Sequence, residues 1–140
     1  MKKLMLISTL LLAGFALTAC GGSNELLDTT WQWTSLTESQ PASQSVVPNR
    51  ENYTVVFNDD GSFNATVDCN QVSGSYELDG NELVIMPGPS TLAECGPDSL
   101  YDLFLGFFGQ VTAYEMDGDS LILIVGDETA RMFFENAGSA

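Results

Sequence analysis

The chain has 140 residues, with 19 Asp and Glu against four Lys and Arg, no histidine and a formal charge of −15. A balance this acidic repels nucleic acid and anionic lipid surfaces and draws basic partners, so nucleic-acid binding is excluded. One domain is the natural count for this length, large enough for a core and small enough to profit from a cross-link.

At the start, Lys2 and Lys3 precede an apolar run from Leu4 to Ala16. The run is too short and too abruptly ended for a membrane span, and residues 1–19 read as a secretory signal. Leu17-Thr18-Ala19-Cys20 resembles the lipobox of bacterial lipoproteins. That resemblance implies cleavage before Cys20 and acylation of its thiol and amine, palmitate among the chains. The other reading is an ordinary signal cut near Ala19 with Cys20 a spare thiol. Three acyl chains would hold the protein on a bilayer, since stable anchoring needs more than one. Gly21 in place of aspartate implies, by the enterobacterial sorting pattern, the outer membrane with the chain facing the periplasm. Cleavage removes Lys2 and Lys3 and none of the acids, which takes the charge to −17 and leaves Arg50 and Arg131 as the fixed cations.

Residues 20–29 form the lipidated N-terminus and tether, and the domain is expected over residues 30–136. "TWQWTSL" puts Trp31, Trp33 and Ser35 on one face in period two and predicts the first strand. Residues 37–51, rich in Ser, Gln and Pro, predict a long surface loop. From Tyr53 onward β-prone runs flank turns at Asn58–Gly61, Asp79-Gly80 and Asp117-Gly118, and "ARMFFE" follows a turn at Gly126-Asp127. Seven to eight antiparallel strands result, enough for a sheet to curl into a barrel. In "GPDSLYDLFLGFFGQ" the period changes: Leu100, Leu103, Phe104, Phe107 and Phe108 follow a helical stripe. Pro97 suits the first helical position and Gly109 a C-terminal cap, giving about three turns packed on the sheet. The fold class is therefore α+β, a small antiparallel sheet with one helix.

Chemistry is constrained by what the exported chain lacks. Without histidine or lysine, a serine or cysteine nucleophile has no usual base. The acidic turns lack the oxygen spacing of an EF-hand loop, and two cysteines far apart make a poor zinc set. No enzyme activity, cofactor or metal is expected. With Cys20 consumed by lipid, Cys69 and Cys95 form an even pair in an oxidising compartment, the composition of a disulfide. Two reduced, buried thiols are the other reading. Asn70 and Gly74 read as backbone specialists, at the bend after Cys69 and at a close strand approach.

The ordered series "TTWQWTSL", "YTVVFNDDGSFNATVDCNQVSGSYELDGNELVI", "STLAEC", an aromatic helix and "LILIVGDETARMFFE" is similar to the META domain, also seen in the HslJ family of envelope proteins. The most specific positions are Cys69-Asn70 with Gly74 and Tyr76, and Thr91 with Cys95. Two departures stand out: Asp68 where the family has glycine, and Ala93-Glu94 where it has Met-Ala. The resemblance implies a compact domain, often secreted or lipid-anchored, with no catalytic residues to carry over. The expected function is a non-catalytic envelope lipoprotein with an interaction or structural role linked to envelope stress, and its expected partners are the membrane, through Cys20, and a basic envelope protein. Two alternatives are an inhibitor of a basic cell-wall hydrolase such as lysozyme, and a binder of small apolar ligands using a wall of Trp31, Trp33 and the Phe cluster.

Overall fold

A computed structural model describes residues 24–140. The signal peptide and the lipidation expected at Cys20 lie outside the described residues. The order of elements is β1 (Thr29–Ser39), β2 (Ala42–Val46), a 3-10 turn (Arg50–Asn52), β3 (Tyr53–Phe57), β4 (Ser62–Val67), β5 (Asn70–Asp79), β6 (Glu82–Ser90), α1 (Tyr101–Phe108), β7 (Val111–Asp117), β8 (Ser120–Val125) and β9 (Ala130–Ser139). All strand pairs are antiparallel, and all join neighbours in chain order except two, β1 with β3 and β1 with β9. The second of these closes eight strands into a barrel and leaves β2 outside it, hydrogen-bonded to the second half of β1.

Three hairpin turns follow the Asp-Gly chemistry of the sequence, with Gly61, Gly80 and Gly118 all at positive φ. The strands between them alternate inward and outward, and the inward set fills the barrel with side chains. In β1 the alternation changes phase, because a register shift between Trp33 and Ser35 inserts an irregularity against β9. Trp31 and Trp33 point inward as expected, but Leu36 takes the buried place that simple period two assigns to Ser35. The folded unit also takes in residues outside 30–136, since Leu26 is fully buried and β9 continues to Ser139.

The expected loop 37–51 is a hairpin and a 3-10 turn instead. β1 runs on to Ser39, the chain reverses at Gln40–Pro41 through a cis peptide bond, and β2 returns along β1. Every residue of β2 is exposed, so it carries no apolar alternation by which a strand could be recognised.

The helix is shorter than the stripe suggests. Pro97 and Asp98 form a turn, closed by the Ser99 N–H donating to the Gly96 carbonyl at 3.3 Å, and Gly96 has φ +98°. Proline's fixed φ serves the second position of a turn as well as the first of a helix, and the turn wins here. Gly109 ends the helix in the right-handed region, φ −73°, and not as a left-handed cap. Of the five stripe residues Phe104 and Phe108 are fully buried, while Leu100, Leu103 and Phe107 pack partly against the core. The helix lies in the connection between β6 and β7, which share a single paired position, Glu82 with Ala113. Phe108 lies edge-on to Phe63 of β4 at 5.3 Å and stacks on Phe104 at 4.9 Å, so the buried face of α1 packs into the barrel core. Among the described residues no helix is long and apolar enough to cross a membrane.

Candidate functional site

The antiparallel order places the loops at two poles. At one pole lie Asn24, the three Asp-Gly turns and the end of β9, with the Ala140 N–H donating to the Asp28 carbonyl at 3.0 Å. At the other lie the β1–β2 and β8–β9 turns, the β4–β5 corner and the long segment from Thr91 to Leu100. This second pole carries Cys69 and Cys95, and they are bonded to each other with Cα atoms 5.4 Å apart.

The segment after β6 contains no secondary structure, so its backbone groups must find partners elsewhere. Asn70, only 1% exposed, provides them. Its Oδ1 accepts from the Ala93 N–H at 2.8 Å and from the Thr91 hydroxyl at 2.9 Å, and its Nδ2 donates to the Ala93 carbonyl at 3.0 Å. Thr91 adds a second tie to the strand, its Oγ1 accepting from the Gln71 N–H at 3.0 Å. Asn70 is therefore a specialist by its side chain, which pins a loop, and not by its backbone, as the sequence suggests. The backbone exception is its neighbour Asp68, at φ +57°. A left-handed residue at that corner suits the glycine that the resemblance leads one to expect there, and aspartate is among the few side chains that tolerate it.

Replacing Asn70 with alanine removes the side-chain partner of both main-chain groups of Ala93, and a loss of about 1–2 kcal/mol is expected in urea unfolding with the bridge intact. A loss below about 0.5 kcal/mol, the ordinary surface range, would mean that water replaces the amide freely.

Gly74 and Tyr76 lie away from this pole network. A Cβ on Gly74 would run into the Met86 carbonyl oxygen and come within 2.7 Å of a Phe63 ring carbon and 2.9 Å of the Gly88 nitrogen. Gly74 thus allows the close strand approach its sequence context suggests. Tyr76 is buried toward the opposite pole, its hydroxyl donating to the Asn58 carbonyl and its ring edge-on to Phe57 at 5.2 Å. Burial, followed by the charges of Asp28, Asp60 and Asp59, raises its pKa above the ordinary 10.0. The fold therefore favours neutral phenol: its contribution is whole below pH 10 and is lost as pH climbs through the raised value. Tyr76→Phe is expected to cost about 1 kcal/mol at neutral pH and to flatten the fall in stability above pH 10. An unaltered alkaline limb in denaturation measured against pH would contradict this.

A cavity of about 590 Å³ lies along the pinned segment at the bridge pole. Leu92, Glu94, Cys95, Pro97, Tyr101 and Asp102 are among its walls. A smaller cavity of about 190 Å³ lies behind it, between Asp68, Tyr53 and Pro97. The Tyr53 hydroxyl accepts from the Leu100 N–H at 3.0 Å, which fixes the entry to α1. No sequence pattern marks that contact, nor the role of Ala93, which acts through its main chain. The apolar wall expected of Trp31, Trp33 and the Phe cluster is spent on the core, where Trp33 meets Phe104 edge-on at 5.3 Å. Among the described residues no group of three or more acids, cysteines or histidines is placed to hold a metal ion.

The structure is similar to three solved folds. One is the NMR structure of a protein from Burkholderia xenovorans, at TM-score 0.64 and 20% identity, covering 80% of this chain and 83% of that one. A second is the crystal structure of a DUF4847 family protein from Bacteroides vulgatus, at TM-score 0.64 and 12% identity, covering 82% and 96%. The third, another NMR structure, has TM-score 0.62 and 16% identity, covering 83% and 96%. These identities speak for the fold alone. No curated protein matches the sequence. The META domain family model matches residues 24–138, a span that holds all of the barrel but the last residue of β9, with the bridge and the pinned loop. This chain belongs to the META domain family.

Proposed function

We propose that the protein is a non-catalytic envelope protein, held at the outer membrane by lipid on Cys20 and acting through contacts made at its bridge pole. The observation that carries this reading is the opposition of the two poles. Asn24 enters the barrel at one, and the groove lies at the other. Four residue steps from Cys20 reach at most about 14 Å. Ten-residue strands, tilted as barrels require, separate the poles by roughly 25 Å. An anchored molecule would thus keep its N-terminal pole at the bilayer and turn the groove outward. Asp59, Asp60, Asp79, Asp117 and Asp119, all exposed at the N-terminal pole, would repel anionic headgroups and hold the barrel clear of them. The lack of histidine and lysine in the exported chain supports a binding role over a catalytic one.

Two measurements test the reading. Cys20→Ser should release the protein from the membrane fraction and abolish palmitate labelling, and continued membrane retention would remove the anchor from the account. For orientation, a maleimide dye placed at Asp79→Cys or Asp127→Cys reports energy transfer to a rhodamine lipid in proteoliposomes. Transfer should be stronger from position 79, and equal transfer from both would refute the proposed tilt.

A further inference from the structure

Leu92 is 85% exposed, an unusual place for a leucine on a loop so firmly held. Thr91 and Ala93, on either side of it, are both bonded to the Asn70 side chain, and Cys95 is cross-linked three residues on. The backbone is fixed with the aliphatic side chain directed into solvent. Beside Leu92 runs the groove of about 590 Å³, which also holds Pro97, the Tyr101 ring and the exposed carboxylates Glu94 and Asp102. The Tyr101 hydroxyl is engaged with Ser90 at 2.8 Å, so the ring presents mainly carbon. No lysine or arginine lines the groove. The two arginines of the exported chain are taken elsewhere, Arg50 by Glu135 at 3.1 Å and Arg131 by Glu115 at 3.3 Å and Glu128 at 3.7 Å.

An aliphatic edge beside two uncompensated carboxylates complements a cation carried on an apolar stem, as in lysine or arginine with an apolar neighbour. The groove lies open along the loop, so a small molecule in it would remain largely hydrated, whereas an extended polypeptide can lie across it and cover Leu92. We propose that this groove docks a basic segment of a partner protein, its cationic side chain meeting Glu94 and Asp102 and an adjacent aliphatic side chain covering Leu92. The proposal rests on the bridge pole being the interaction surface, though not on the lipid anchor.

The test titrates full-length protein, purified in mild detergent, into a labelled, end-capped Lys-Leu-Lys-Leu-Lys peptide at about 0.15 M salt, read by fluorescence anisotropy. Glu94→Gln with Asp102→Asn should weaken binding about fivefold or more, and Leu92→Ser about threefold. Asp59→Asn with Asp79→Asn removes the same two charges at the far pole and should weaken it less than about twofold. All these positions are exposed, and unchanged urea midpoints would verify folding. Equal weakening by the two double variants would overturn the site in favour of diffuse attraction. Equal affinity for Lys-Gly-Lys-Gly-Lys, equally strong competition by butylamine, or no binding up to about 1 mM would overturn it as well. Cys20→Ser fractionation reads the anchor separately, so either reading can fail alone.

Discussion

Phe104→Ala is expected to lower the unfolding free energy by about 4 kcal/mol. Phe104 is fully buried and meets three partners from different parts of the barrel: Trp33 of β1 at 5.3 Å, Phe134 of β9 at 6.4 Å and Phe108 of its own helix at 4.9 Å. Part of the loss is transfer free energy, and part is the cavity that rigid strands cannot collapse to fill. Because Phe104 packs on β1 and β9, the damage should extend beyond the helix to amide protection along both strands. Phe107→Ala, on the half-buried side of the same helix, should cost roughly 1 kcal/mol and serves as the comparison. Urea unfolding followed through tryptophan emission reads both. Similar small losses from the two variants would mean that the helix rests on the barrel without packing into its core.

Removal of the cross-link ranks next. Cys69→Ser with Cys95→Ser is expected to destabilise by about 3.5 kcal/mol, from the loop entropy released over a separation of 26 residues. The bridge and Asn70 hold the same segment from two sides, so their losses should not add: once Ala93 is free to move, the amide has less to hold. Denaturant unfolding of the triple variant Asn70→Ala, Cys69→Ser, Cys95→Ser measures the coupling. Strict additivity would show that amide and bridge act on independent parts of the loop. The groove depends on both devices, and the weakened variants should also lose affinity for the basic peptide.

Much of the barrel was legible because its physics is local. Asp-Gly turns need positive φ, strands with one buried face alternate, and an aromatic stripe at helical spacing must cover something. The Cys69–Cys95 pairing followed from counting the thiols left once Cys20 is assigned to lipid. The parts that escaped were decided by contacts distant in sequence. β2 has no buried face, so no pattern marks it, and its pairing with β1 makes it a strand. The start of α1 moved from Pro97 to Tyr101 because Gly96 and the Tyr53 hydroxyl fix the turn before it. Asn70 was recognisable as special, but its work is done on Ala93, 23 residues away and without a side-chain signature. The change of phase at Ser35 is likewise imposed by β9. Local chemistry set the elements, and remote partners set their ends.

The pairing of β1 with β9 has a consequence for how the molecule comes into being. Residues near 29–38 meet residues near 130–139, so the seam joins the first strand made to the last, with a high cost in chain ordering before any reward. Until the final strand arrives, β1 and β8 expose unsatisfied main-chain edges. A nascent or clipped chain lacking residues beyond 130 would therefore offer two sticky templates, and strand exchange between copies is the failure to which this architecture is most open.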